Sequence, residues 1–108
     1  MEWKKVVAII RGDKLREVEE RLKDLRVSGI SVTPGTGYGE YANLFTRNWC
    51  VTHARLEIYC EASRVEEIAQ AIMDTAHTGA AGDGMVAIIP VERMYRIRSR
   101  TEAKNEEG

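Results

Sequence analysis

Residues 54–89 read ARLEIYCEASRVEEIAQAIMDTAHTGAAGDGMVAII and predict a strand, a helix and another strand in succession. Apolar and polar residues alternate up to Cys60, which is typical of a half-buried strand. Ser63 and Glu66 have the spacing of a helix-capping box, and Gly79 predicts the end of that helix. Val86–Ile89 is apolar throughout and predicts the next strand. The helix is expected to bury one stripe of side chains: Val65, Ile68, Ala69, Ile72, Met73 and Ala76.

The first part of the chain repeats this order. Val6–Ile10 is a short apolar run that predicts a buried strand, Asp13 is suited to cap a following helix, and Ile30–Thr33 alternates as a second strand. The order β-α-β-β-α-β predicts an α+β fold, the ferredoxin-like plait, with two helices on one face of a four-stranded antiparallel sheet. We expect one domain over residues 1–100, with a loop at about 35–49. The polar residues 101–108 are expected to be disordered.

Composition excludes several classes of function. The 108 residues have a net charge of −1, so a bulk polyanion is not an expected partner. No apolar run is long enough to span a membrane, and the N-terminus lacks the pattern of a signal peptide, so we expect a cytoplasmic protein without membrane insertion. On one strand, Cys50 and Cys60 would be about 33 Å apart, too far for a disulfide bond.

Catalytic, metal-binding and nucleic-acid-binding functions are not expected. The two histidines, His53 and His77, have no nucleophile or carboxylate at a motif spacing, and no cluster of metal ligands is evident. The predicted strands also lack the aromatic platforms with which similar folds bind RNA. The sequence therefore predicts neither an enzyme nor a nucleic-acid-binding protein.

Two segments are suited to bind an anion. The turn AHTGAAGDGM, residues 76–85, has three glycines in six residues and could form a concavity of backbone N–H groups, although local sequence alone favours a plain chain reversal. Arg96, Arg98 and Arg100 alternate near the end, where they would either match phosphate geometry or form a solvated surface. Together the two segments favour a phosphate site.

The motif Thr78-Gly79-x-x-Gly82-Asp83-Gly84, followed by Arg96-Ile97-Arg98, resembles the PII family of nitrogen-regulatory signal proteins. The segments KKVVAIIRGDKL, GISVTPGTGYG and ARLEIYC support the resemblance, which covers Lys4–Arg98. It implies a homotrimer that holds ATP or ADP in the clefts between subunits. The nucleotide-binding residues that it implies are Ile9, Gly29, Ser31, Gly37, Tyr38, Gly39, Glu57, Tyr59, Gly82, Asp83, Gly84, Met85, Arg96 and Arg98.

The resemblance also assigns roles within that set. Gly82, Asp83 and Gly84 would bring backbone and a carboxylate to the nucleotide, and Arg96 and Arg98 would clamp its phosphates. The family usually has a lysine directly after the glycine turn, where this chain has Met85. Losing one charge-assisted hydrogen bond would weaken polyphosphate binding by roughly one to two orders of magnitude. We therefore expect ADP or AMP to be favoured, relative to the family's usual preference for ATP.

The loop departs further from the family pattern. It is shorter, Glu40 and Tyr41 stand where the basic residue and the glutamine would be, and His53 stands at the position of the lysine that pairs with 2-oxoglutarate. Sensing of 2-oxoglutarate in the usual way is therefore not expected. A small anion such as bicarbonate could instead bind around Arg47, His53 and Arg55. Alternatively, His53 is simply an exposed strand residue.

The resemblance implies a regulator that acts on a partner protein, a transporter or an enzyme, through a change in loop conformation. The ligand would be ADP, ATP or AMP, with bicarbonate as a candidate co-effector and no catalytic cofactor. Two alternatives remain open. One is a standard regulator of ammonium transport, and the other is a trimeric assembly protein without a ligand.

Overall fold

The computed structural model describes residues 2–36 and 52–106. Four strands form one antiparallel sheet in the order β2-β3-β1-β4, and two short strands form a second. The strands are β1 (Trp3–Arg11), β2 (Ile30–Thr36), β3 (Thr52–Glu61), β4 (Gly84–Val91), β5 (Tyr95–Arg96) and β6 (Thr101–Glu102), and the helices are α1 (Leu15–Asp24) and α2 (Val65–Ala76). The predicted βαββαβ plait is confirmed.

The core lies between the helices and one face of the large sheet. Val6 pairs with Ile58 and Ala8 with Leu56 across β1 and β3, and all four side chains are fully buried. Because side chains alternate along a strand, this register places one side chain in two on the helix side. The helices contribute the buried residues Val18, Leu22, Val65, Ile68, Ala69, Ala71, Ile72 and Ala76.

The helices begin differently from the prediction. A turn of 3₁₀ helix, Gly12–Lys14 before α1 and Ala62–Arg64 before α2, leads the chain into each helix, and no side chain caps either start. The proposed cap at Asp13 and the capping box at Ser63 are therefore wrong. The burial of Met73 was also wrongly predicted. Its side chain lies beside edge strand β4 and is 47% exposed, while Ala71 is buried.

Neither of the two described helices packs on the other face of the large sheet, and we call this face the open face. Its exposed apolar side chains include Tyr59, Met85 and Ile89. Lys5 and Glu57 form an ion pair there with a nitrogen–oxygen distance of 2.8 Å. Their hydrogen bond lowers the pKa of Glu57 and raises that of Lys5. Strand β4 lies at the edge of the sheet and is only partly buried. Proline has no N–H to donate to a neighbouring strand, so Pro90 fits this edge position.

The C-terminal residues fold back over one end of the open face. Ala103 is buried, its N–H donates to the Met94 carbonyl at 2.8 Å, and its carbonyl accepts from the Trp3 indole Nε1 at 3.3 Å. Trp3 is therefore buried on the open face. The prediction of a disordered tail is wrong for residues 101–106, because this buried indole requires a hydrogen-bond acceptor and a cover.

Arg64 anchors the end of this C-terminal segment. Its Nη1 donates to the Glu106 carboxylate at 2.8 Å, and its Nη2 donates to the Leu25 carbonyl beyond α1. The second carboxylate oxygen of Glu106 accepts from the Glu61 amide at 2.6 Å. Nearby, Cys60 is a buried free thiol, and burial raises its pKa to about 11. Within the described ranges, neither helix has the length and apolar character needed to cross a membrane.

Candidate functional site

The turn between α2 and β4 requires its glycines. Gly79 and Gly82 have φ angles of 92° and 97°, and Gly84 has 113°. A Cβ on Gly84 would lie 1.7 Å from the Ile9 carbonyl oxygen, so the backbone of the turn passes directly against β1. Only glycine combines a positive φ with so close an approach.

The Asp83 carboxylate organises this turn from within. It accepts hydrogen bonds from the backbone N–H groups of Thr78 and Gly79, both at 2.8 Å, from the Thr78 hydroxyl, and from Arg11 Nε at 3.1 Å. These donors, the Thr78 hydroxyl foremost, hold the pKa of Asp83 far below its usual range. The carboxylate is therefore ionised at neutral pH, and its oxygens are used inside the turn.

Two side chains of the sheet also hold the turn's backbone. Arg11 Nη2 donates to the Ala81 carbonyl at 2.6 Å, and His53 Nε2 lies 3.1 Å from the Gly82 carbonyl oxygen. Arg11 and His53 are cross-strand partners on β1 and β3. His53 is only 4% exposed, so the interpretation of an exposed strand residue is wrong. Arg11 was not predicted as a site residue from the sequence, although its alternation with Ile9 places it on the open face.

A cavity of about 250 Å³ adjoins the turn. Ile9 and Met85, which are cross-strand partners, line it together with Asp83 and Gly84. The remaining lining comes from Ile10, Met73, Ala76, His77 and Val86. Five residues implied for nucleotide binding thus lie in one neighbourhood: Ile9, Gly82, Asp83, Gly84 and Met85. We call these five residues the turn group.

A second neighbourhood lies at the Trp3 end of the sheet. Gly29, Tyr59 and Arg96 line a cavity of about 260 Å³ there, and we call these three residues the arginine group. The Arg96 guanidinium lies 5.9 Å from the centre of the Trp3 ring and donates to the Asn105 carbonyl at 2.7 Å. Arg98 is exposed and borders a surface groove with Arg96.

One chain does not bring the two groups together. Trp3, which contacts Arg96, and Ile10, which pairs with Gly84, are separated by about 23 Å along β1 at roughly 3.3 Å per residue. Ser31 and Glu57 are cross-strand partners in the middle of the sheet, between the groups. The predicted residues Gly37, Tyr38, Gly39 and Arg47 lie outside the described residues.

Two residues of the candidate anion site, His53 and Arg55, lie in the described part of the chain. Arg55 has a half-exposed side chain and donates from Nε to Glu57 at 3.1 Å. A cavity of about 200 Å³ lies between the ends of β2 and β3, with Pro34, His53 and Arg55 in its wall. Among the residues that the structure describes, no three His, Cys, Asp or Glu side chains are grouped to hold a metal ion.

Comparison with known proteins identifies the family. Residues 3–101 match the family model described as nitrogen regulatory protein P-II. The chain belongs to the P-II family. It is 38% identical to nitrogen regulatory protein P-II of Azospirillum brasilense over 103 residues, covering 89% of this chain and 92% of that protein. It is 35% identical to the P-II protein of Pasteurella multocida over 106 residues, covering 92% and 95%.

A solved structure supports the same assignment. The crystal structure of Arabidopsis thaliana PII bound to citrate is similar to this chain with a TM-score of 0.81 and 27% identity, covering 98% of this chain and 92% of that one. The P-II assignment confirms the resemblance inferred from the TGxxGDG motif and the arginines that follow it. The relatives from Azospirillum brasilense and Pasteurella multocida are both named nitrogen regulatory protein P-II.

Proposed function

We propose that this P-II protein is a regulator that binds an adenine nucleotide between two copies of the chain. The separation of the turn group from the arginine group carries the proposal. The turn and Arg96 would both contact the phosphates of the nucleotide, and these phosphates are much shorter than the roughly 23 Å that separates the two segments in one chain. They can meet when the turn group of one copy faces the arginine group of the next. A closed ring of such head-to-tail contacts gives the homotrimer that the family resemblance implies.

The open face supplies a surface for this assembly. Met85, Ile89 and Tyr59 are each between 43% and 51% exposed in the single chain. An apolar surface of this kind is typical of an interaction site, and burying it between copies would be favourable. The nucleotide would then lie at the edge of an interface, where its binding changes the contacts between copies.

In this proposal, the phosphates contact the turn's backbone and the guanidiniums of Arg96 and Arg98. Guanidinium forks match phosphate oxygens and remain charged at every physiological pH. The regulatory output is a shift in the population of loop conformations that a partner protein recognises. Because Met85 replaces a lysine, the protein favours ADP or AMP relative to the family's usual preference for ATP.

A complementation experiment tests the two-copy site. Gly82→Ala strains the turn, Arg96→Gln removes a guanidinium, and each variant alone should lose at least about tenfold in ADP affinity by calorimetry. After the variants are mixed and reassembled, some clefts combine an intact turn with an intact Arg96, and tight binding should return at a fraction of the sites. The exposed Arg93, as Arg93→Gln, is the matched control for lost charge.

The outcomes separate the alternatives. Two deficient variants that do not recover on mixing would contradict a shared site. An assembly whose thermal stability does not respond to ADP, ATP or AMP would favour the ligand-free assembly protein. A strong effect of 2-oxoglutarate on ATP affinity would favour a standard regulator of ammonium transport.

A small-anion effector is a second candidate, favoured by the cavity of about 200 Å³ beside Arg55. Since His53 is bonded to the Gly82 carbonyl, Arg55 would supply the charge. Bicarbonate should then change ADP affinity in the wild type and have no effect in Arg55→Gln. Equal affinities with and without bicarbonate in the wild type would remove this candidate.

A further inference from the structure

We infer that Arg11 and His53 are positioning residues that orient the glycine turn for phosphate. This inference rests on the proposed nucleotide site and assigns a role to two side chains that contact the turn from the sheet. Their targets are consecutive carbonyl groups, Ala81 for Arg11 and Gly82 for His53, at 2.6 and 3.1 Å.

The contacts are built into the sheet. Arg11 and His53 are directly paired across β1 and β3, so the backbone ladder fixes their spacing. The Arg11 side chain is 15% exposed and His53 is 4% exposed, and both therefore have few alternative conformations. Arg11 also donates to Asp83 through Nε, which fixes the direction of its guanidinium plane.

The orientation of a carbonyl determines that of the next amide. In a trans peptide, C=O and the following N–H point in opposite directions. Holding the oxygens of Ala81 and Gly82 against the sheet therefore directs the N–H groups of Gly82 and Asp83 away from it. It also withdraws two partial negative charges from the side of the turn where a phosphate would otherwise meet them.

Without these donors the turn has a choice of conformations. Glycine tolerates both signs of φ, so the peptide groups on either side of Gly82 can rotate at little steric cost. Gly82 is observed at a φ of 97°, the value that accompanies the two carbonyl contacts. Arg11 and His53 thus select one backbone arrangement that the sequence of the turn leaves open.

This role predicts an effect on phosphate and none on the nucleoside. Calorimetry with ADP and with adenosine on the wild type, His53→Leu and His53→Gln tests this role. His53→Leu removes the donor, and His53→Gln keeps an N–H at similar reach. His53→Leu should weaken ADP binding about tenfold with adenosine unchanged, and His53→Gln should restore most of the loss. Arg16→Leu is the control, because this side chain is 91% exposed on α1 and lies outside the turn and its cavity.

The result separates this inference from the proposed function. A wild type that binds neither ligand refutes both. If the wild type binds ADP and His53→Leu has an unchanged ratio of ADP to adenosine affinity, the positioning role alone is refuted. An equal loss for both ligands indicates a general structural effect and also refutes it. If His53→Leu does not fold, Arg11→Lys is measured in the same way, since lysine keeps the charge but lacks the fork that reaches both Ala81 and Asp83.

Discussion

The Arg64 guanidinium lies 2.8 Å from the Glu106 carboxylate, so the last described residue of the chain is tied to the residue that precedes α2. The same guanidinium donates to the Leu25 carbonyl. One arginine therefore links the C-terminal segment to the ends of both helices.

Glu106→Ala should destabilise the protein by about 1–2 kcal/mol, because it removes an acceptor that is shared by Arg64 and the Glu61 amide. Urea unfolding at a fixed protein concentration measures this change. Glu102→Ala is the control, since that residue is exposed, and it should change the free energy of unfolding by less than about 0.5 kcal/mol. Equal effects of the two variants would contradict the anchoring role of Glu106.

Removing residues 103–108 should expose Trp3, because the Ala103 carbonyl is its hydrogen-bond acceptor. In a Trp49→Phe background, the fluorescence of Trp3 should shift to longer wavelength and become accessible to an aqueous quencher. Ending the chain after Glu106 is the control and should leave the emission unchanged. An unchanged spectrum in the shorter variant would mean that the segment does not cover Trp3.

The lowered pKa of Asp83 predicts a stability that depends on pH. The hydrogen bonds that lower this carboxyl pKa contribute their full stabilisation above the unfolded-state pKa of about 3.9. The contribution is lost as the pH falls from that value towards the lowered pKa of the folded state. The difference in unfolding free energy between the wild type and Asp83→Asn should be about 2 kcal/mol above pH ~5 and shrink in more acidic buffer. A difference that is constant down to pH ~2 would contradict the shift.

Gly84→Ala should be far more harmful than Gly29→Ala. Both glycines have positive φ, but a Cβ at Gly84 would overlap the Ile9 carbonyl, whereas none of the described atoms lies within 4 Å of one at Gly29. We expect a loss of about 1 kcal/mol at Gly29 and about 3 kcal/mol or more at Gly84, measured by urea unfolding. Similar losses would show that the turn does not pack closely on β1.

Met85→Lys should raise ATP affinity at least about tenfold by supplying a cation beside the glycine turn. Adenosine affinity should not change, and calorimetry measures both. Met73→Lys is the control, since Met73 has similar exposure and lines the same cavity from α2. If both lysines raise ATP affinity equally, the effect is general electrostatic attraction and the specific role of position 85 is wrong.

Local patterns were sufficient to predict the fold. The alternation in β3 and the helical spacing in α2 report which side of each element faces the core, and the order of elements leaves few ways to pair the strands. Helix starts were missed because 3₁₀ turns replaced the side-chain caps expected at Asp13 and Ser63. Those starts depend on how the chain leaves the preceding strand, which residue type alone does not report.

The candidate site was harder to predict, since its contacts join distant parts of the chain. The motif located Gly82–Gly84, yet His53 contacts a turn that is 29 residues away in sequence. The order in residues 101–106 was missed for a similar reason. Polar composition predicts disorder, but Trp3 and Arg64, at sequence separations of 100 and 42 residues from their partners, form hydrogen bonds with this segment.

The rate at which the buried Cys60 thiol is labelled can report how often the core opens. Thiolate is the form that reacts with alkylating reagents, and at pH ~8 a pKa of about 11 leaves about one thiol in a thousand ionised even before burial blocks access. In a Cys50→Ser background, labelling of Cys60 therefore requires that α2 and β3 move apart and expose the thiol. Its rate reports how long the native core survives, with no dye or tag attached.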